Sequence, residues 1–296
     1  MKLSTVGYLG PKGTFTNVAV DAIFDSVDTK GYRTIPECLD AVNNDEVALA
    51  VVPMENAIEG TVHLTVDYLI HQVDVPIIAE VVIPIEQHLL VHPGFTGDLK
   101  DIETIHSHTQ AIAQCHQFIH KEMNNAEIEY TSSTGEAASI VQQKKGSHAA
   151  IGNILSAEEY GLKVLRTSIH DYENNHTRFA VLQKNQKPVQ MKELTANTYK
   201  TTIMVTLPSD YSGALHQVLS AFAWRKMNLS KIESRPMKTG LGNYFFIIDV
   251  NQPYDAVLFP AVQAELAALG CQIKVLGTYP CFHVEAPSLS TEKTAE

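Results

Sequence analysis

The 296-residue sequence predicts a two-part protein of mixed α/β class, with a largely parallel α/β region followed by a smaller βαββαβ region. Short apolar runs alternate with amphipathic helical patterns through the first part, which is typical of an α/β domain. A polar segment containing Pro188 then interrupts the pattern. Beyond it the order of strands and helices changes, so we expect a second, separate domain.

The first region predicts strands and helices in alternation. The apolar runs that predict strands are STVGYLG, VALAVVP, PIIAEVVI, AEIEY, HAAIG, KVLRTSI and RFAVL. The patterns that predict helices are TNVAVDAIFDSV, PECLDAVNND, TVDYLIHQV, TQAIAQCHQFIHKEM and STGEAASIVQQKK. Ligands in such folds bind beyond the carboxyl ends of the strands, so we expect the loops at those ends to contain the binding site.

The second region reads strand, helix, strand, strand, helix, strand. Its strands are TTIMVTL, LSKIESRP, NYFFIIDV and CQIKVLGTY, and KTGLGN joins the middle two as a hairpin. Apolar residues recur at helical spacing after Leu215 and again after Leu258. This βαββαβ order is the ferredoxin-like arrangement, with two helices on one face of an antiparallel sheet.

Composition excludes several classes of partner. The chain has 22 basic and 33 acidic residues and a net charge of −11, so nucleic acid and anionic membranes are poor partners. An anionic substrate would need a local site that overcomes this field. The four cysteines form no C-x-x-C pair, and no apolar run reaches 18 residues. The N-terminus has no apolar signal segment, so we expect a cytoplasmic protein without a membrane partner.

Two loops near the N-terminus carry polar groups past the end of a strand. In GYLGPKGTFTN, free backbone N–H groups could face an anion, or the stretch is a tight β–α turn in which Thr14 or Thr16 caps the helix. In VVPMENAIEGTV, Glu55 and Asn56 follow Pro53. They could orient a substrate, or they could cap the next helix.

The stretch IHSHTQAIAQCHQFIH offers a third loop. Ser107, His108 and Gln110 lie between a strand and a helix. His116 and His120 are four residues apart, which is the spacing of two zinc ligands on one helix face. Because no third ligand stands nearby in the sequence, we expect a solvated helix face there, with no metal site.

The stretch NNHTRFAVL brings an arginine to the mouth of an apolar strand. Arg178 could hold a carboxylate through two parallel hydrogen bonds, or it could form an ion pair with Asp171 or Glu173. The residues themselves leave both interpretations open.

Taken in order, these motifs resemble the prephenate dehydratase family from about residue 5 to residue 283. The matching motifs are GPKGTFT, P-x-E-N-A-I-E-G-T-V, S-H-T-Q-A, N-x-T-R-F, G-A-L-H and E-S-R-P. The resemblance implies a two-lobed, periplasmic-binding-protein-like catalytic domain and a C-terminal ACT domain, a small amino-acid-sensing module. The implied boundaries are 1–183 for the catalytic domain (lobes about 1–80 with 165–183, and 81–164), 184–199 for a linker, 200–284 for the ACT domain and 285–296 for a disordered tail.

The resemblance also implies a reaction. Prephenate loses CO2 and water to give phenylpyruvate, the precursor of phenylalanine, and this lyase chemistry requires no metal or cofactor. Thr177 is implied as the donor to the leaving hydroxyl and Arg178 as the carboxylate clamp, whereas His176 is left with a local structural role because the motif leaves its position open. The implied catalytic residues are Thr177, Arg178, Phe179, Glu55, Asn56 and Gln110. The implied substrate-binding residues are Thr14, Phe15, Thr16, Ser107, His108 and Asn175.

Feedback by L-phenylalanine is the regulation that the resemblance implies, in a homodimer or homotetramer assembled through the ACT domains. The implied effector residues are Gly213, Ala214, Leu215, His216, Glu233, Ser234, Arg235 and Pro236. The plainer interpretation is that Gly213 begins a helix and that Glu233 and Arg235 are side chains on a sheet edge without a binding role.

Two positions depart from the family, because Ala57 replaces a serine and Thr109 replaces a proline. Two rival functions stay open. Arogenate dehydratase shares the fold and motifs and acts on a substrate with an ammonium in place of the keto group. A non-catalytic sensor of small acids is the rival from another class, and the intact Thr177, Arg178 and Phe179 argue against it.

Overall fold

The computed structural model describes residues 5–185, 191–209, 211–237 and 244–285. Its helices are α1 (Phe15–Ile23), α2 (Ile35–Asn43), α3 (His63–His71), α4 (Thr109–Gln114), α5 (His116–Glu122), α6 (Thr134–Gln143), α7 (Ile154–Glu159), α8 (Ala214–Ala223) and α9 (Leu258–Ala268). Its strands are β1 (Thr5–Leu9), β2 (Asp28–Tyr32), β3 (Leu49–Asn56), β4 (Gly60–Thr61), β5 (Ile77–Pro84), β6 (His88–Val91), β7 (Thr104–His108), β8 (Glu127–Thr131), β9 (His148–Gly152), β10 (Lys163–Arg166), β11 (His176–Leu182), β12 (Thr198–Thr206), β13 (Leu229–Pro236), β14 (Tyr244–Val250) and β15 (Gln272–His283). The predicted mixed α/β class is confirmed, but the prediction of a largely parallel first region is wrong, because β11 pairs antiparallel with β3 and β5, and β6 pairs antiparallel with β9 and β10.

Two sheets organise these elements. The larger has ten strands in the order β13-β14-β12-β15-β5-β11-β3-β1-β2, with β4 paired to β3. The smaller has five strands in the order β10-β6-β9-β7-β8. The chain leaves the larger sheet after β5 and returns to it at β11. We call β1–β11 with α1–α7 the N-terminal unit, and β12–β15 with α8 and α9 the C-terminal unit.

Strand β11 lies between β5 and β3 and is buried on both faces of the larger sheet. Phe179 and Val181 pack into the apolar core on one face, whereas Ala180 and Leu182 pack into the core on the other. Successive side chains of a strand point to opposite faces, so β11 anchors both cores at once. The run RFAVL was predicted to be a buried strand, and this is confirmed.

The C-terminal unit has the βαββαβ element order, and its strands lie in the order β13-β14-β12-β15. One face of this sheet packs with α8 and α9 around Phe222, Ile248 and Phe259. The other face packs against the N-terminal unit, where Phe245 and Ile247 of β14 contact Val66 of α3. The period-two alternation along β14 therefore sends alternate side chains to its own helices and to the N-terminal unit.

A parallel pairing of β15 with β5 joins the two units into one sheet. Cys281 is opposite Glu80, and Gly277 is opposite Ile77. A Cβ atom at Gly277 would collide with the carbonyl oxygen of Ile77, so this junction requires glycine. The sequence predicted two regions separated by a linker and gave no sign of this shared sheet.

Several elements differ from the predictions. Strand β2 was missed because its sequence, DTKGY, is polar and mostly exposed. Strand β6 and helix α7 were missed because they are only 4 and 6 residues long. The predicted helix TQAIAQCHQFIHKEM is two helices, α4 and α5, which are separated at Cys115. The hairpin turn KTGLGN, part of the linker and almost all of the tail lie outside the described residues. No helix in the described ranges is long and apolar enough to cross a bilayer.

Candidate active site

A cavity of about 430 Å³, which we call the cleft, lies between the two sheets. Its walls are the ends of β1, β3, β7 and β11 and the starts of α1, α4 and α6. The lining residues are Leu9, Thr14, Phe15, Thr16, Ile35, Pro53, Asn56, Glu59, Gly60, Thr61, Val62, Ile85, Gln87, His108, Gln110, Ala111, Gln114, Ser132, Ser133, Thr134, Thr177 and Phe179. Strand ends and helix starts converge here, as expected for ligand sites in α/β folds.

Thr177 is held in the cleft by a hydrogen bond from Asn56. The Nδ2 atom of Asn56 lies 2.9 Å from Oγ1 of Thr177 and 2.8 Å from Oδ1 of Asn175. On its other side, Oδ1 of Asn56 accepts from the backbone N–H groups of Ile58 and Glu59 at 2.9 and 3.0 Å, which fixes the amide orientation. A hydroxyl that accepts one hydrogen bond still has its own proton to donate, so Thr177 can donate to a ligand.

Arg178 points away from the cleft, which corrects the expectation that it clamps a substrate carboxylate. Thr177 and Phe179 line the cleft, and the residue between them faces the opposite side of β11 because strand side chains alternate. Its guanidinium donates to Glu55 at 2.6 Å, to Glu80 at 2.7 Å and to Asp249 at 2.8 Å. The ion-pair interpretation is correct in kind, but Asp171 and Glu173 are not the partners.

Glu55 is also turned out of the cleft. Thr177 pairs with Asn56 and Arg178 with Glu55, but Phe179 pairs with Pro53, so Met54 is an extra residue in β3. Such a β-bulge redirects side chains, and here the strand sends Asn56 into the cleft and Glu55 toward Arg178. Glu55 also accepts from Lys231 of β13 at 2.9 Å. Burial would raise the pKa of Glu55, but Lys231 and Arg178 together outweigh it and lower that pKa.

These groups form a buried cluster that we call the ion cluster. Its members are Glu55, Glu80 and Arg178 of the N-terminal unit and Lys200, Lys231 and Asp249 of the C-terminal unit. Burial opposes the charge of Arg178, yet the carboxylates of Asp249 and Glu80 outweigh burial and raise its pKa. Its three cations face these three carboxylates, and Lys231 also lies 3.4 Å from the carboxylate of Glu233.

The glycine-rich turn before α1 caps that helix and also lines the cleft. Thr14 is the N-cap of α1 and accepts from the backbone N–H of Asn17 at 3.4 Å, so the capping interpretation is confirmed. Thr14, Phe15 and Thr16 also line the cleft. The turn is fastened to the smaller sheet by Ser156, whose Oγ donates to the carbonyl of Gly13 at 2.6 Å.

The loop after β7 contributes two of its three predicted site residues to the cleft. His108 caps α4, with its Nδ1 accepting from the N–H of Gln110 at 3.3 Å, and both residues line the cleft. Burial lowers the pKa of His108. Ser107, in contrast, is fully buried and donates to the carbonyl of Ile151 at 2.7 Å, so it supports the sheet. Among the described residues, His116 and His120 stack with ring centroids 6.1 Å apart and belong to no group of three potential metal ligands.

Several residues that line the cleft were not predicted from the sequence. Gln87 and Gln114 approach within 3.4 Å of each other, and Oε1 of Gln87 is buried without a hydrogen-bond partner in the described part of the chain. Ser132, Ser133 and Thr134 lie at the start of α6, where Ser133 is the N-cap. The S-T-G-E sequence at that start is a capping signal that could have drawn attention to them. Gln87 lies between β5 and β6, in a segment without any periodic pattern.

Stability should fall in mildly acidic solution because of His88, a buried side chain that follows Gln87. Burial, and next the charge of His170, lowers the pKa of His88 to about 4. The ordinary histidine pKa is about 6.5, so the folded state resists protonation of this ring. The contribution is complete above pH 6.5 and is lost as the pH falls toward 4. We expect a loss of roughly 2–3 kcal/mol in the free energy of unfolding over that window.

Denaturant unfolding at several pH values checks this expectation. His88→Asn keeps an acceptor for the backbone N–H of Ser168, which now donates to His88 Nδ1 at 3.0 Å. The wild type should lose more stability than the variant between pH 6.5 and pH 4. Equal losses would assign the pH dependence to other groups.

Comparison with known proteins identifies the family. The family model described as prephenate dehydratase matches residues 6–187. The chain belongs to the prephenate dehydratase family. The resemblance stated from the motifs is therefore confirmed.

Relatives extend the match beyond the N-terminal unit. A prephenate dehydratase of Bacillus subtilis (strain 168) is 49% identical over 283 residues, which cover 94% of this chain and 99% of the relative. The crystal structure of the Arthrobacter aurescens prephenate dehydratase in complex with L-Phe is 33% identical, with a TM-score of 0.82, and the match covers 93% of this chain and 90% of that one. The Staphylococcus aureus Mu50 prephenate dehydratase is 32% identical, with a TM-score of 0.78 and coverage of 93% and 99%. The family resemblance thus includes the C-terminal unit.

Proposed function

We propose that the chain converts prephenate to phenylpyruvate, CO2 and water, as the names of its relatives indicate for them. The observation that carries the proposal is the Thr177 hydroxyl, which Asn56 orients at the wall of the cleft while leaving its proton available. In the reaction, the bond from the ring to its carboxylate breaks, and its electron pair enters the ring. The ring hydroxyl leaves from the opposite carbon, so the ring becomes aromatic.

Departure of the hydroxyl is the step that a donor can assist. The Thr177 hydroxyl is a weak acid, so it acts by donating a hydrogen bond to the oxygen that becomes negative, not by complete prior proton transfer. The orientation of that donor is fixed in advance by Asn56, which lowers the cost of reorganisation at the moment of bond cleavage. Thr177 is therefore the residue that we propose for stabilising the leaving group.

A cation lies just outside the cleft, because Arg33 lines an adjoining cavity of about 650 Å³ that shares Thr14, Thr16, Ser132 and Ser133 with the cleft. None of the described side chains that line the cleft is a lysine or an arginine. The starts of α1 and α6 present backbone N–H groups together with the hydroxyls of Thr16 and Thr134, whereas Ser132 already donates to Glu136 from its hydroxyl and its backbone N–H. Helix N-termini favour anions. We assign the carboxylate contacts to these two starts, in place of the clamp once assigned to Arg178.

The C-terminal unit is proposed as an ACT domain that binds L-phenylalanine. Its βαββαβ order supports this, as does the L-Phe complex of the Arthrobacter aurescens relative. Gly213 precedes α8 with a φ of 89°, which favours glycine. Ser234 and Pro236 are exposed on β13, where a ligand or a second copy could approach. Assembly as a homodimer or homotetramer through these units is part of the proposal.

The side chains of Glu233 and Arg235 lie against the N-terminal unit, which differs from the position expected of residues that bind an effector. Glu233 accepts from Thr61 at 2.6 Å, and Arg235 donates to Asp67 at 2.8 Å, so both side chains contact the N-terminal unit. Strand β13 therefore presents one set of side chains outward and the alternate set inward. Effector binding on the outer side would reach the cleft wall through Thr61, which lines it.

The domain limits predicted from the sequence stay part of the proposal, and so does a cytoplasmic location. The N-terminal unit is proposed as the catalytic domain with its two lobes. The four cysteines are free and buried, which suits a reducing compartment.

Activity assays test the proposal directly. Purified protein should convert prephenate to phenylpyruvate, and L-phenylalanine should lower that rate. Arogenate, offered in parallel, tests the rival dehydratase. Turnover of neither substrate would leave the non-catalytic sensor as the surviving interpretation, and an unchanged rate and oligomeric state with L-phenylalanine would contradict the proposed regulation.

A further inference from the structure

Two dipeptides in adjacent strands each have one side chain in the cleft and one in the ion cluster. Asn56 and Thr177 are paired across β3 and β11 and meet in the cleft. Their neighbours Glu55 and Arg178 are paired in the same register and meet on the other side of the sheet. The backbone of these few residues is therefore fixed from both sides.

The C-terminal unit supplies the outer partners of both dipeptides. Asp249 of β14 accepts from Arg178 at 2.8 Å, and Lys231 of β13 donates to Glu55 at 2.9 Å. Lys231 also donates at 2.6 Å to Thr61, a third residue of the cleft wall. Three parts of the cleft wall are thus tied to two strands of the other unit.

Asp249 is itself rigidly held. It is 2% exposed, and its Oδ1 accepts from the hydroxyl of Thr202 at 2.7 Å, while Thr202 lies 2.6 Å from the hydroxyl of Tyr279. The carboxylate therefore has a fixed position in the C-terminal sheet. A planar guanidinium with donors on three nitrogens transmits such a position better than a flexible amine would.

Stability alone is a weak reason for burying these charges. A buried ion cluster commonly adds little stability compared with apolar residues of the same size, because removing charges from water is costly. The charges instead fix the geometry of the two paired dipeptides in β3 and β11. We propose that Asp249 and Lys231 are positioning residues, which hold the hydrogen bond between Asn56 and Thr177 in its working geometry through Arg178 and Glu55. This inference rests on the proposed dehydratase activity.

Kinetics of Asp249→Asn and Lys231→Met test the inference. Neither residue lines the cleft, so KM for prephenate should change by no more than about twofold to threefold while kcat falls by about 10- to 100-fold, as expected for a misplaced catalytic group. Lys231→Arg keeps the charge and should retain most of the wild-type kcat. Asp74→Asn is the control for an exposed ion pair at the same boundary, because Asp74 is 89% exposed and its pair with Lys274 at 2.7 Å joins the two units without any member of the ion cluster.

The outcomes separate the alternatives. Wild-type kcat in Asp249→Asn and Lys231→Met, with both variants folded, would overturn the inference. An equal loss in Asp74→Asn would also overturn it, since general docking of the units would then explain the effect. If one cluster variant fails to fold, the other decides.

A readout without turnover separates this inference from the proposed function. Hydrogen exchange of peptides that cover β3 and β11 should become faster in Asp249→Asn and Lys231→Met than in Asp74→Asn. If the wild type turns over neither substrate, the proposed function fails, yet this exchange pattern still decides whether the ion cluster fixes the two strands. Unchanged exchange in both cluster variants would overturn the inference.

Discussion

Thr177→Val is expected to lower kcat for prephenate by about 10²- to 10³-fold, the usual loss when one hydrogen-bond donor to a developing negative oxygen is removed. Valine has nearly the shape of threonine and suits a strand, so the fold should survive. The lost group is the hydroxyl that would donate to the departing oxygen. Steady-state kinetics with prephenate measure the loss, and thermal unfolding checks that the variant is folded.

Thr177→Ser is the matched control, because it keeps the hydroxyl and should keep most of the activity. Asn56 would still be able to donate to the serine oxygen as it now donates to Thr177. Near-normal turnover by Thr177→Val, with unchanged binding, would remove Thr177 from the mechanism.

Arg178→Met is expected to lower the free energy of unfolding by about 3–5 kcal/mol, the usual cost of removing one partner of a buried ion pair. The loss would leave the carboxylates of Glu55, Glu80 and Asp249 close together with only two lysines to neutralise them. Denaturant unfolding measures this change.

Arg166→Met is the control for losing an arginine ion pair elsewhere. Nη2 of Arg166 lies 3.6 Å from Oδ1 of Asp98, both side chains are exposed, and such pairs contribute about 0–1 kcal/mol. A carboxylate clamp at Arg178 would predict a raised KM for Arg178→Lys, whereas the structure predicts mainly reduced stability. A raised KM with wild-type stability in Arg178→Lys would restore the carboxylate clamp and contradict the placement of this side chain.

Much of the site could be predicted from the sequence, because its residues are local to strand ends and helix starts. Thr14, Asn56 and Gln110 line the cleft where strands are followed by helices, and Thr177 lines it at the start of strand β11. The orientation of Arg178 could also have been predicted. Period-two alternation around the buried Phe179 places Arg178 on the opposite face of the strand, but the family motif assigned all of its residues to the same site.

The ion-pair partners of Arg178 could not be predicted from the sequence. Glu80 and Asp249 are 98 and 71 residues away in sequence, so no local pattern links them to it. The same holds for Lys231, which is 176 residues from Glu55. Alternation along β13 and β14 showed which side chains share a face, but only tertiary structure shows what that face touches.

The pairing of β15 with β5 makes β5 an interior strand of the larger sheet. A chain that stopped before β12 would turn β5 into an open edge, with unpaired backbone groups beside the buried carboxylate of Glu80. Open edges recruit strands from other molecules and promote aggregation. The two units are therefore poor candidates for separate expression, because the C-terminal unit protects its neighbour from self-association.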